Sequence, residues 1–248
     1  MASREEFLTN KIFMNAVLPL LKVIVADTPS LAKKFQAVHC VYQVSALDPD
    51  APGGKYATHF QVNSDEWVIH TEKIEPKPMV ELEFQSVEAM NSFFKGKIGP
   101  KTLPKMKGLV KNTGAFVAFL MALLKMSSIL TAKEPPEKEE DKRLMVKCYF
   151  YLLSSGISQL NKNGHEEIHE WAKKSPDRVY AWAVNDEPSV SAYIRVKAGK
   201  TRAGRGTYKR ALPFFTMRFD SFDSALGILM QTADMLDSTR SGKLIMDG

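Results

Sequence analysis

Apolar side chains fall on every second position in two segments of this chain, and the two segments share one frame. In residues 78–88 (PMVELEFQSVE) the alternating set is Val80, Leu82 and Phe84; in residues 213–223 (PFFTMRFDSFD) it is Phe215, Met217 and Phe219. A period of two marks a strand with one buried face. The offset is 135 residues throughout: Pro78 matches Pro213, Phe84 matches Phe219 and Ser86 matches Ser221. Each serine stands where a helix needs an N-cap, and Glu88 and Asp223 set a negative charge in the turn beyond it. The pattern predicts a helix over 87–95 after the first strand and over 222–236 after the second.

Upstream, Val41-Tyr42 and Val179-Tyr180 each open a run of β-branched and aromatic residues with strand character. Two further strand-like runs follow in each half, at 56–62 and 67–72, then at 190–196 and 207–211. Before them come a short helical segment (30–38 and 166–174) and a longer apolar one (7–25 and 144–159). Pro19 is expected to kink or divide the first of the long ones. Each half closes on a basic-apolar run, 106–111 and 242–246, and the first continues into an extra helix at 114–129. Residues 131–143 (TAKEPPEKEEDKR) carry two prolines, dense charge and no large apolar side chain, and read as a solvated linker. Order, offset and cap together indicate an internal duplication. The expected fold is α+β: two related modules, 1–130 and 144–248, each a mixed, mostly antiparallel five-stranded sheet covered by helices, arranged as a pseudo-dimer.

Three stretches add a family resemblance. Pro78-Met79-Val80-Glu81-Leu82 looks like a strand that follows a meander. Ser86 through Phe94, with Lys95-Gly96-Lys97 after it, looks like a helix with a Gly-Lys ending. Ser241-Gly242-Lys243-Leu244-Ile245 looks like a closing strand. In these the chain resembles the sterol carrier protein family (type two), over most of the first half and more weakly over the second. It departs from the family in holding two copies and in ending at Gly248 without the family's terminal helix, which makes a closed cavity less expected in the second half. The resemblance implies non-enzymatic binding or carriage of an apolar or amphipathic ligand (lipid, fatty acyl or sterol-like) between sheet and helices, with no cofactor. The candidate walls are Leu82, Phe84, Met90, Phe93, Phe94, Phe116, Phe119, Leu120, Leu123 and Leu124 in the first half. Their second-half equivalents are Met217, Leu226, Leu229, Met230 and Met235. Methionine gives such walls adaptability; the plainer reading of any one of these residues is packed core.

Two motifs compete with that reading. Residues 165–169 read His-Glu-Glu-Ile-His, and on a helix H-E-x-x-H puts two imidazoles on one face with a carboxylate to activate a metal-bound water, as in a metal-dependent hydrolase. The flanks are polar, however, Gly164 suggests that the helix begins only at His165, and a third ligand would have to be a carboxylate such as Glu187. A surface helix holding His165 and His169 is the simpler expectation. Residues 195–210 (RVKAGKTRAGRGTYKR) hold seven basic residues and no acidic one. They suit an interaction module docking anionic partners, an anionic membrane surface among them, or a solvated hairpin whose charges guard an edge strand. Tyr193 and Tyr208 are the only nearby aromatics, too few for base stacking, so nucleic acid is not favoured.

Composition narrows the setting. At 248 residues the chain is long enough for two domains, and 44% hydrophobic against 25% charged residues is a globular balance. A net charge of +6 is too small to indicate a nucleic-acid binder. Two cysteines, Cys40 and Cys148, exclude a disulfide framework, although one bridge remains open. The early Glu5 and Glu6 and the later Lys11 and Lys22 do not suit a secretory leader, so a cytoplasmic setting is expected. Residues 115–124 (AFVAFLMALL) are half the length of a membrane span and are read as a buried helix. A homo-oligomer is left open.

Overall fold

Proline at position 19 decides how the first unit begins. In the computed structural model, which describes residues 2–248, α1 (Arg4–Ile12) passes into a π-helical turn (Phe13–Val17), and α2 (Leu20–Asp27) starts directly after Pro19. Pro19 has no N–H to give, so a carbonyl one wide turn earlier loses its donor. The hydroxyl of Thr58 donates instead to the Met14 carbonyl at 2.8 Å, from the adjoining sheet. The expected kink is thus a wide turn that the sheet completes. A short helix, α3 (Pro29–Phe35), follows.

The chain then lays down β1 (His39–Leu47), β2 (Lys55–Asn63) and β3 (Glu66–Thr71) as an antiparallel meander. Strand β4 (Val80–Phe84) returns to lie parallel to β1, and after α4 (Val87–Phe94) strand β5 (Lys105–Lys107) closes the edge. The order is β3-β2-β1-β4-β5, a mixed sheet. Register fixes its faces. Tyr42 stands beside Phe60 and Val80, and Val44 beside Thr58 and Leu82, so these side chains share the face that the helices cover. The last helix of the unit, α5 (Thr113–Leu130), packs over that face and against α2 and α3.

The opposite face is also buried, which the alternation in 78–88 did not show. The connection between β3 and β4 crosses it: the backbone N–H of Glu75 donates to the Gln43 side chain, and the Lys73 carbonyl bonds the His59 ring. Glu81, only 4% exposed, sits beneath it.

The second unit repeats the strand order. Long helix α6 (Glu139–Lys162) and α7 (Glu166–Lys174) precede β6 (Arg178–Val184), β7 (Ala192–Lys197) and β8 (Lys200–Arg205). Then come β9 (Phe215–Phe219), α8 (Phe222–Leu229), α9 (Met235–Arg240) and β10 (Leu244–Asp247). The order β10-β9-β6-β7-β8 matches that of the first sheet, with β9 parallel to β6 as β4 is to β1. Tyr180 faces Phe215 across that pair, where Tyr42 faces Val80. Both serine caps form: Ser86 accepts from the N–H of Ala89 and Ser221 from that of Ser224.

The chain divides into two compact units, Met1–Thr131 and Ala132–Gly248. Helix α6 begins at Glu139, inside the charged stretch read as a linker; Glu139, Glu140 and Asp141 lie in its first turn, where negative charge favours a helix. Two other expectations are corrected. The helix drawn over 222–236 ends at Leu229, because Gln231 takes a left-handed conformation and the N–H of Thr232 caps the Gly227 carbonyl. The strand drawn over 207–211 lies instead at Lys200–Arg205, because Ala198 and Gly199 both have positive φ and turn the chain within two residues. Neither cysteine forms a disulfide; both are buried.

Candidate functional site

Helix α5 does not lie flat on the first sheet along its whole length. Its anchor is Tyr42 on β1, whose ring stacks on Phe119 at 4.4 Å and whose hydroxyl donates to the Ala115 carbonyl at 2.9 Å. Phe116, Phe119, Ala122, Leu123 and Met126 face inward and are buried. Toward β5 the sheet ends in a three-residue strand, and the space between helix and sheet is left partly unfilled.

That space is a pocket of about 170 Å³. Leu82 forms its floor with Met106; Phe93 and Phe94 from α4 and Phe13 from the π turn form one wall; Phe116, Leu120, Leu123 and Leu124 of α5 form the roof. The aromatic wall is held by contacts among its own rings: Phe13 stacks on Phe94 at 5.2 Å, and Phe84 braces Phe93 at 5.3 Å from below. Ile98, Leu103 and Pro104 line it too, in the loop that leads to β5. The only polar side chain among the fifteen lining residues is Ser127. A dry cavity of roughly 150 Å³ holds a benzene-sized guest, whereas drug-sized ligands occupy roughly 300 Å³ or more. This pocket therefore has room for a ring or a short run of methylenes, and anything longer must leave through its mouth.

Of the first-half candidates, Leu82, Phe93, Phe94, Phe116, Leu120, Leu123 and Leu124 come together around the pocket. Phe84, Met90 and Phe119 do not line it; they are fully buried core that supports it. Sequence reasoning missed the other eight, among them Phe13, Ile98, Leu103, Met106 and Leu130. Met106 was on view in a basic-apolar run, but the loop residues carry no periodic signal.

In the second unit a shallower apolar hollow of about 170 Å³ lies between Ile157 and Trp171 on the helices and Tyr180, Trp182, Ile194, Phe215 and Met217 on the sheet. Of the second-half candidates only Met217 reaches it. Leu226 is fully buried core, Leu229 and Met230 lie at the end of α8, and Met235 is exposed at the start of α9. A wider open cleft of about 400 Å³, lined by Arg178, Arg195, Tyr208 and Phe214 among others, is mixed in polarity.

The chemistry-bearing motifs are placed as follows. His165 is the N-cap residue of α7 with an extended backbone, so it is not part of the helical face that H-E-x-x-H needs. His169 bonds Asn161 at 3.0 Å, and Glu187 pairs with Arg143 at 3.1 Å. Among the described residues no group of three side chains is placed to hold a metal. The basic hairpin is β7–β8, and β8 is an edge of its sheet.

The buried Glu81 belongs to a separate polar cluster on the other face of the first sheet. Its carboxylate accepts from Lys55 (2.7 Å), Ser45 (2.7 Å) and Gln43 (2.8 Å), and Lys107 approaches at 3.3 Å. Burial works against the charge, but the hydrogen bonds from Lys55, Ser45 and Gln43 outweigh it and hold the group down to about 2. Its acceptors are occupied within the fold, so the cluster joins strands.

No protein-family model matches the chain, and no curated protein matches it. Among solved structures, sterol carrier protein 2 aligns with 47% of this chain and 94% of its own, at 12% identity and a TM-score of 0.35. A stereoselective inverting sec-alkylsulfatase from Pseudomonas sp. aligns with 70% of this chain and 31% of its own, at 11% identity and a TM-score of 0.26. The chain thus spans about a third of that enzyme. At these scores neither likeness bears on what the chain binds.

Proposed function

We propose that the first unit binds the apolar part of a lipid or other amphipathic molecule in the pocket beneath α5, without chemical change to it. The observation that carries this reading is the pocket itself: fifteen residues from six parts of the unit converge on a space lined almost wholly by carbon. A packed interior normally has no void of this size. Each methylene moved there from water contributes about 0.8 kcal/mol, so a guest of a few carbons already binds usefully. The motif resemblance in residues 78–97 agrees with this. The floor is a sheet and the roof a helix tied to it at Tyr42.

Native mass spectrometry of gently purified protein tests this reading. A bound apolar species, lost on mild activation, is the expected result; protein that carries nothing and takes up nothing from added fatty acid contradicts it. We further infer that the two units descend from one duplicated module, on the shared strand order, the 135-residue offset of β4–α4 to β9–α8 and the two serine caps.

A further inference from the structure

Residues 89–133 contain eight lysines and no aspartate or glutamate. This is the segment that builds the rim and roof of the pocket. Lys107 is engaged by Glu83 at 2.7 Å and Glu81 at 3.3 Å, on the sheet face away from the pocket, and Lys105 alternates to the same side. Lys95, Lys97, Lys101 and Lys111 remain exposed.

Large apolar side chains are exposed beside them. Ile98 follows Lys97 and is 68% exposed; Val110 precedes Lys111 and is 94% exposed; Leu124, on the roof, is 61% exposed. Leu103, Met106, Leu120 and Met121 are exposed to a lesser degree. Ile98, Leu103, Met106, Leu120 and Leu124 all line the pocket, so these side chains ring its mouth. Helix α5 is also long and apolar enough to cross a membrane by length and composition, with only 39% of its apolar stretch buried; Arg4–Asp27 meets the same test with 61% buried. The expectation of a short buried helix at 115–124 is corrected accordingly: one side of α5 is core, and the other meets the surroundings.

We propose that this surface docks on an anionic lipid bilayer, with Ile98, Val110 and Leu124 entering the headgroup boundary and Lys95, Lys97, Lys101 and Lys111 held at the phosphates. Exposed apolar residues interspersed with lysine, in a segment that itself carries no acidic residue, are the chemistry of interfacial membrane binding. Each lysine near an anionic leaflet adds attraction that salt weakens, and the apolar side chains add burial that salt does not screen. A second copy of the chain fits less well, since a two-fold contact would set these lysines against themselves. A single-stranded nucleic acid wants exposed aromatic platforms, and Phe93, Phe94, Phe116 and Phe119 are turned inward. The proposal stands apart from the pocket reading, because it concerns the rim and holds whether or not a guest is bound.

The test is sedimentation of the full chain with vesicles of phosphatidylcholine alone and of phosphatidylcholine with phosphatidylserine. Binding to the anionic vesicles, weakened by salt, is expected. It should fall at least tenfold in a Lys95→Gln, Lys97→Gln, Lys101→Gln, Lys111→Gln variant, and comparably in Val110→Asp with Met121→Asp, neither of which lines the pocket. Both variants change only exposed residues, and each should keep its uptake of a fluorescent fatty acid from solution, which separates this proposal from the pocket reading. An Arg202→Gln, Arg205→Gln variant of the basic hairpin should bind vesicles as wild type does. Equal binding to both vesicle types, loss through the hairpin variant alone, or indifference to the Asp substitutions would overturn the proposal. So would binding to RNA in preference to vesicles.

Discussion

The ring of Tyr42 lies almost parallel to that of Phe119, 11° apart, while its hydroxyl reaches past it to the carbonyl of Ala115. One residue in the middle of the sheet therefore holds α5 by both a face and a tip. Tyr42→Phe keeps the stack and removes the hydrogen bond, and should cost about 1 kcal/mol. Phe119→Ala removes a buried ring and should cost about 3–5 kcal/mol. In hydrogen exchange, the amides of α5 should lose protection in Phe119→Ala before those of β1 and β2. Protection unchanged along α5 would show that the helix is held by something other than this pair.

Acid should probe Glu81. Its carboxyl is held at about 2, against an ordinary value of 4.5. A depressed carboxylate stabilises the fold fully above its unfolded value and ceases to do so as the pH falls through its folded value. The expected loss is about 3 kcal/mol between pH 4.5 and 2. Urea unfolding across that range should show the slope in wild type and a flatter profile in Glu81→Gln. That variant should also be less stable at neutral pH, since Lys55 would keep only Glu83, at 3.4 Å.

Gly204 shows how one unseen contact can decide a residue. It lies on β8 opposite Tyr193, and a Cβ placed there would come within 2.1 Å of the tyrosine ring. Gly204→Ala should destabilise the second unit by about 1–3 kcal/mol. In a Tyr193→Ala background the penalty should largely disappear, because the clash has no partner. Thermal unfolding of the four combinations measures this, and equal penalties in both backgrounds would contradict it.

Burial pushes the Cys40 thiol up to about 11, and Cys148 is buried as well. A thiolate is needed for reaction, so native protein near neutral pH should resist a thiol reagent. Both cysteines should label once the chain is unfolded. Rapid labelling of the native protein would show that either unit opens locally at little cost.

Much of the fold was legible because its elements carry local signals. The strands β4 and β9 alternate, and the serine caps sit at a constant spacing, so both could be read without tertiary information. What escaped was set by contacts between distant residues. Alternation along β4 assigns Glu81 to the solvent-facing side, but the β3–β4 connection crosses that face and buries it. The edge strand β8 has no apolar alternation in residues 195–210 to mark it; the turn at Ala198-Gly199 fixes it. The site divides in the same way. Periodic helical residues such as Leu120 and Leu124 were found, whereas Phe13, Ile98 and Leu103 are brought to the pocket by a wide helical turn and a loop.

Filling the pocket tests the account most directly. A fluorescent fatty-acid probe should bind the wild-type chain saturably in solution and be displaced by unlabelled fatty acid. Leu120→Trp, which puts bulk into the mouth, should weaken that binding at least tenfold with the fold intact by circular dichroism, while Met217→Trp in the second unit should leave it unchanged. Undiminished binding in Leu120→Trp, or no binding by the wild type, would contradict the claim that the space beneath α5 receives a ligand.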